Sequence, residues 1–373
     1  MMGALRSSAI WIYVLKRLLL MVPTLLGILL VTFTLIQFVP GGPVEQMVQM
    51  LKGDHSAGGT AGLAVPGSSA AGDVGQASSG LYRGRVGVDP QRLQEIKALY
   101  GFDKPVTERF VDMVVGFLRL DLGTSFFHNR SVWELIVDKL PVSISLGIWS
   151  FLITYAVSIP LGIAKAVRHG SRFDLMTSLA ILIGYAIPGF VLGVVLLVFF
   201  GGGSFLHLFP LRGLTSDDFA SLSLIGKVLD YFWHLALPLT CLILGSFAVV
   251  TMLTKNTMLE EIRRQYVLTA RAKGLPEDVV LWRHVLRNAL IPIVTGFPAA
   301  FVGAFFTGSL LIETLFSLDG LGLLSYESVM KRDYPVVMGT LFFFSLIGLV
   351  AKLVNDLLYV VVDPRVQFGA QKS

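Results

Sequence analysis

Charge is what this sequence has least of. Only 15% of its 373 residues are Asp, Glu, Lys or Arg, against roughly 25% in an ordinary soluble domain. In contrast, 54% are hydrophobic, and the mean hydropathy is +0.72. Too few charges remain to clothe a surface facing water, and the apolar residues fall in blocks of about twenty, so a soluble enzyme is excluded. Cysteine is nearly absent too. Cys241 is alone, so no intrachain disulfide can form, and its place in an apolar run reads as that of a small buried hydrophobe.

Chemistry is missing as well. The sequence contains no H-E-x-x-H zinc motif and no G-x-S-x-G nucleophile elbow, so neither common hydrolase constellation can be assembled. Gly226-Lys227 is followed by Val228 and lacks the upstream glycine of a phosphate-binding loop. No catalytic, metal-binding or cofactor-binding residue is therefore expected, and any ATP and Mg used would be bound by a partner chain. No stretch interleaves aromatics with a dense basic run, so the net charge of +5 does not point to nucleic acid. Nor does an Asp, Glu, Lys or Arg interrupt the middle of any long apolar run, which argues against a proton- or sodium-coupled carrier. His234 reads as a satisfied interfacial histidine rather than a proton relay.

What is present is six long uncharged runs. The first is Leu18 to Val39, which reaches roughly 33 Å against a hydrocarbon core of about 30 Å. Phe38-Val39-Pro40-Gly41-Gly42 is no cleavage site of a secretory signal, so a retained first helix is expected. The others lie between Lys139 and Lys165, Asp174 and Arg212, Asp230 and Lys255, Arg287 and Glu313, and Asp333 and Lys352. A charge at a helix centre costs about 2.5–3.5 kcal/mol on insertion, so these boundaries limit where the membrane can sit. The fold class is thus an all-α polytopic membrane protein with six transmembrane helices.

Basic residues cluster in Arg6, Lys16 and Arg17, in Lys165, Arg168 and Arg172, and in the stretch from Lys255 to Arg287, with seven bases against four acids. By the positive-inside rule these sides, and both termini, are cytoplasmic. The expected organisation is a first segment and helix at 1–39, a periplasmic region at 40–139, and a five-helix core at 140–373 with a cytoplasmic loop at 255–288. In the outer region, Gly, Ala and Ser make up about two thirds of Gly53 to Gly80, too little apolar surface to offset ordering entropy. A mobile insertion over 53–88 is expected. Beyond it, Leu93, Ile96, Leu99 and Tyr100, then Val106, Phe110, Met113, Val114 and Phe117, recur at helical spacing and predict two short amphipathic helices.

The loop between the fourth and fifth runs carries the most information. Thr269, Ala270, Arg271, Ala272, Lys273, Gly274 and Leu275 read as the end of a helix. Gly274 is suited to a left-handed cap, and Pro276 to the first turn of a new helix with Glu277 and Asp278 near its positive end. At a 3.6-residue period Val279, Trp282, Val285 and Leu286 share one face, and Arg283 and Arg287 another. Composition alone also permits an amphipathic loop resting on anionic headgroups.

Thr269 to Leu275 and Arg283 to Ala289, the latter including His284, resemble the EAA loop of ABC importer permeases in the variant found in dipeptide, oligopeptide and nickel permeases. Leu268 and Thr269 stand for the general pattern's Glu and first Ala, His284 for its Ile, and Arg287 for its Pro, as in that branch. The likeness continues through Tyr100 to Pro105, Asp121 to Ser125, Leu140-Pro141, Gly184 to Pro188, Glu313 to Ser317, Gly320 to Gly322 and Arg332 to Pro335. Asp319 replaces a common Pro.

The resemblance implies a type I importer permease fold in the bacterial inner membrane, transporting peptides or peptide-like compounds. It also implies three protein partners: a second permease subunit, a cytoplasmic ABC ATPase and a periplasmic solute-binding protein. Thr269 to Leu275 with Trp282, Arg283 and His284 would then form the ATPase-coupling loop. Other substrates of the branch (dipeptides, nickel, glycosides) stay open, and so does a passive channel whose loop binds lipid.

Overall fold

The computed structural model describes residues 2–38, 103–201, 205–306 and 309–362. The Gly/Ala/Ser-rich stretch and the first of the two expected amphipathic helices lie outside the described residues. The second is α2, Val106–Leu118.

Among the described residues the architecture is helical: α1 Met2–Phe38, α2, α3 Val132–Val167, α4 Arg172–Ala186, α5 Gly189–Phe200, α6 Leu224–Ile262, α7 Gln265–Ala272, α8 Ile291–Phe306, α9 Ser309–Leu315, α10 Leu321–Lys331 and α11 Tyr334–Val362. Serine opens three of them. Ser131, Ser171 and Ser223 each accept a backbone N–H three residues on, at 3.2 Å, satisfying one of the orphan donors of a helix start. The start of α10 is capped from outside instead. The Glu313 carboxylate takes the Leu323 N–H at 2.7 Å and the Ser143 hydroxyl takes the Leu321 N–H at 2.9 Å. Gly320 is needed there, since a Cβ would come within 2.6 Å of the Glu313 carboxyl carbon.

Among the described residues, four helices are long and apolar enough to cross a membrane: Trp11–Gln37 in α1, Val132–Val167, Leu224–Ile262 and Tyr334–Leu357 in α11. The third expected run is not one straight helix but α4 and α5, bent by 93° at a break. Pro188 lacks an N–H and restricts its predecessor, and Ile187 is extended at φ −88°, ψ 119°. Gly189 then lies so close to α6 that a Cβ would stand 2.7 Å from the Cys241 carbonyl. Pro160, Pro238 and Pro298, by contrast, sit inside continuous helices. The fifth run is α8, at 16 residues shorter than a span. The six expected spans are therefore found as four, or five with the bent pair, and one short apolar helix.

α3 and α6 form the spine, with α5 and α4 against α6, α8 against α3 and α11, and α1 against α11. Packing falls into three clusters. One joins Leu29, Phe117, Val132, Ile136 and Phe342. A second joins Leu146, Leu235, Cys241 and Phe316. The third joins Ala166 and Met258 to the loop after α6. α1 is peripheral. Its apolar side chains, Trp11, Leu19 and Leu35 among them, are exposed, the pattern of a helix facing lipid. It is held to α11 by Asp356, which accepts the Tyr13 hydroxyl at 2.8 Å and pairs with Arg17 at 2.6 Å. The motifs at 121–125 and 332–335 meet through Asp333, which accepts the Ser125 hydroxyl at 2.5 Å and the Phe126 N–H at 3.1 Å.

Candidate functional site

The loop after α6 folds as helix, glycine turn, helix. α7 ends in a Schellman turn: the Gly274 N–H donates to the Arg271 carbonyl at 2.9 Å and the Leu275 N–H to the Ala270 carbonyl at 3.4 Å. Gly274 has φ +76°, where a Cβ would meet no atom within 4 Å, so glycine serves the backbone conformation alone. Across the turn the Arg271 guanidinium grips Glu277 by two hydrogen bonds, one of them from Nε at 3.0 Å. That contact holds the Glu277 carboxyl below its usual range and raises Arg271.

The second helix is not α-helical throughout. Glu277–Val279 and Leu286–Ala289 are α, but Val280–Val285 is a π-turn, in which the Leu286 N–H reaches back five residues to Leu281. Val280 and Val285, five apart, are both fully buried. The wide turn overturns the face expected at 3.6 residues per turn: Trp282 does not join Val285 in the core but stands out, 63% exposed.

The segment therefore has a fixed inside and an apolar outside. Val267, Ala270, Val280, Val285 and Ala289 are buried against Ala166 of α3 and Met258 of α6. Tyr266 ties the base, its hydroxyl donating to Glu261 and accepting from Asn288 Nδ2 at 3.0 Å. Facing out are Leu268, Leu275 and Trp282. Of the expected coupling residues, Thr269, Arg271, Ala272, Lys273, Gly274, Leu275, Trp282 and Arg283 are exposed, His284 is half-buried, and Ala270 is buried as an anchor.

Directly beneath lies a cluster that sequence reading treated as boundary charges. Lys165, fully buried, donates to the Asp174 carbonyl at 2.9 Å and to the Thr177 and Ser178 hydroxyls at 2.7 Å each. Its Nζ is also 3.1 Å from Asp174 Oδ1. Lys255 Nζ donates to both Asp174 carboxylate oxygens, at 2.7 and 2.8 Å, and the Gly170 N–H reaches one of them at 3.2 Å. One carboxylate thus pins the end of α3, the start of α4 and the last third of α6. Buried charges are tolerated only with this density of partners.

Farther along the same helices, away from the loop, is a cavity of about 820 Å³ between α3, the α4–α5 break, α6, α8 and α9. Its wall includes Ser150, Tyr155, Tyr185, Pro188, Phe190 and Gly245, and no charged residue. His234 is buried, with Nδ1 2.8 Å from the Asp230 carbonyl, the satisfied histidine expected of it.

Residues 158–368 match the family model described as "Binding-protein-dependent transport system inner membrane component". The "Peptidoglycan transport system permease protein YejB" of Agrobacterium fabrum is 54% identical over 362 residues, covering 95% of this chain and 98% of that one. The "Inner membrane ABC transporter permease protein YejB" of Escherichia coli O157:H7 is 52% identical over 358 residues, with the same coverage. The "Dipeptide transport system permease protein DppB" of Escherichia coli K12 is 32% identical over 95% of this chain and 98% of its own. A solved structure of the MetNI methionine ABC transporter in an inward-facing conformation aligns with a TM-score of 0.47 at 16% identity, covering 62% of this chain and 97% of that chain.

Proposed function

This chain belongs to the family of binding-protein-dependent transport system inner membrane components, and from that premise we propose that it is one pore-forming half of an ATP-driven importer. The cargo is short peptides or peptide-like compounds, such as microcin C, moved from periplasm to cytoplasm by alternating access. Relatives named for peptidoglycan transport and for dipeptide transport support a peptide or peptide-like cargo over nickel or glycosides. The finer partners follow by the same analogy: a YejE-like second permease, a YejF-like ATPase that binds ATP and Mg, a YejA-like periplasmic binding protein, and the surrounding lipid. In this reading the chain has a type I permease fold, crosses the membrane six times and keeps both termini and the 255–288 loop in the cytoplasm. The loop's basic residues set that orientation.

The observation that carries the reading is the two-sided loop. Leu268, Leu275 and Trp282 are exposed on a segment whose other side is locked to α3 and α6. Exposed aromatic and apolar anchors on a rigid mount are what a protein partner grips. The mount rests on the Asp174 clamp, so a push on α7 passes to three helices at once. Such a rigid linkage converts closure of the ATPases into movement of the bundle.

Gly274→Asp tests this. A Cβ there meets no atom within 4 Å, but φ +76° strains any residue other than glycine, so the variant should still insert while distorting the turn, and should lose co-purification with the ATPase and ATP-dependent uptake. Unchanged uptake with normal recovery of the ATPase would refute the coupling role. A passive channel with a lipid-binding loop would instead purify without any ATPase and conduct without ATP.

A further inference from the structure

The cavity along α3 and α6 coincides with the one broken helix pair that the described residues contain. Tyr185, Ile187, Pro188, Gly189 and Phe190, the residues of the break itself, all line it. A helix end carries carbonyls, and a helix start N–H groups, with no partner inside the helix. Of the α4 carbonyls, that of Gly184 takes the Ile187 N–H at 3.4 Å. At membrane depth such backbone persists only where it is buried in protein or lines a polar cavity, never facing lipid.

A second observation comes from the wall formed by α3. The Ser150 hydroxyl is buried and makes no hydrogen bond, although serine in a helix has the carbonyl four residues back within reach. A buried hydroxyl left unpaired costs about 1–3 kcal/mol, so it marks a place where a missing group belongs. Apart from Thr154 and Ser246, the rest of the lining is apolar or aromatic, and none of it carries a charge. Phe151 and Tyr155 are held edge-on by Phe297 at ring-centroid distances of 5.6 and 4.4 Å. The volume, about 820 Å³, lies in the range of small-molecule sites, about 300–1,000 Å³.

We propose that this cavity is a transit subsite for an uncharged stretch of a short peptide. The peptide's backbone amides meet the Ser150 side and the broken α4–α5 backbone, while an apolar or aromatic side chain lies against Tyr155 and Phe190. A lipid tail offers no hydrogen-bonding group for either wall, whereas a peptide offers donors and acceptors together. The assignment rests on the importer reading and adds a selectivity to it: the site sorts side chains by size and polarity, because it holds no charge to sort them by sign.

Gly245 provides the test, because it lines the cavity and a Cβ there meets nothing within 4 Å. The complete transporter, with second permease, ATPase and binding protein, is reconstituted in vesicles and uptake of radiolabelled Ala-Ala-Ala and Ala-Phe-Ala is measured. Gly245→Leu should lower Ala-Phe-Ala uptake about tenfold relative to Ala-Ala-Ala, the effect of overfilling an apolar pocket. Gly348→Leu, the same change at an open position of α11 outside the cavity, should leave both unchanged. Ser150→Ala should raise the KM for Ala-Phe-Ala several-fold without lowering thermal stability.

Equal loss of both peptides in Gly245→Leu, or no loss of either, would overturn the subsite. So would loss of the second permease from the purified Gly245→Leu complex, which would make the cavity a subunit interface. If the unmodified complex takes up neither peptide with ATP, the importer reading itself fails, and that outcome is read before any variant is compared.

Discussion

α6 passes through two environments that share the same neighbour, α3, and differ in how tightly they close around it. Near its loop end, Thr254 is buried and Lys255 nearly so, and both are partnered, although the enclosed Thr251 hydroxyl is not. Thr254 donates to the Val250 carbonyl at 2.8 Å, and Lys255 is gripped by Asp174. There the helices touch backbone to side chain: a Cβ on Gly162 would stand 2.5 Å from Thr254 Cβ and 2.8 Å from the Thr251 carbonyl. Around Gly245 the same helix borders open space, and across the cavity the Ser150 hydroxyl has no partner. Close packing sits where force would enter, and open space bordered by an unpartnered hydroxyl sits where cargo would pass. The two are carried by one continuous helix, so stiffness at one end need not compromise accommodation in the middle.

The sharpest break of this contrast is Asp174→Asn. It leaves two buried ammonium groups without their carboxylate, at a cost of about 3–5 kcal/mol. Thermal unfolding of the purified chain should show a large drop, and Lys255→Met, which leaves a balanced Lys165–Asp174 pair, should cost less. Glycine replacements on the two sides should then differ in sign. Gly162→Val drives a side chain into α6 and should destabilise by about 1–3 kcal/mol. Gly245→Ala enters open space and should stabilise by about 0.5–1 kcal/mol, by removing a flexible glycine from a helix interior. Equal effects at the two positions would erase the distinction between packed end and open middle.

Trp282→Ala probes the loop's outer face separately from its anchor. The melting temperature should hold within error, while ATPase binding weakens by about 2 kcal/mol if Trp282 is a hot spot. The smallest effect belongs to the exposed Arg271–Glu277 clasp. Arg271 lowers the folded Glu277 carboxyl below its unfolded value, so its contribution is present above the ordinary glutamate range and fades as pH falls through the lowered folded value. Amide exchange at 271–277 should therefore be flat across neutral pH and rise slightly only in acid.

Much of this was legible in the residues. Charges bounded the apolar stretch of each long helix because a membrane excludes them, although the helices themselves run on past Lys139, Lys255 and Lys352, and Gly274 with Pro276 announced a turn because each has a distinctive backbone preference. The Asp174 clamp was not legible, since Lys165, Asp174 and Lys255 stand 9 and 81 positions apart and each alone looks like a helix-end charge. Pro188 could not be told from Pro160, Pro238 and Pro298, because the bend depends on how closely Gly189 meets Cys241. The outward turn of Trp282 was missed because a period of 3.6 was assumed where the chain uses a wider one.

That wide turn has an evolutionary consequence. Val280–Val285 holds one residue more than an α-helix needs to cover the same arc, which is how a single-codon insertion is absorbed without tearing the helix. Removing one residue there would let the turn relax to ordinary helix and turn the short stretch between Gly274 and the wide turn by about 100° relative to Val285, while α7 on the other side stays fixed through Val267 and Ala270. A lineage could re-aim that part of the outer face by one deletion, without rebuilding the anchor beneath it.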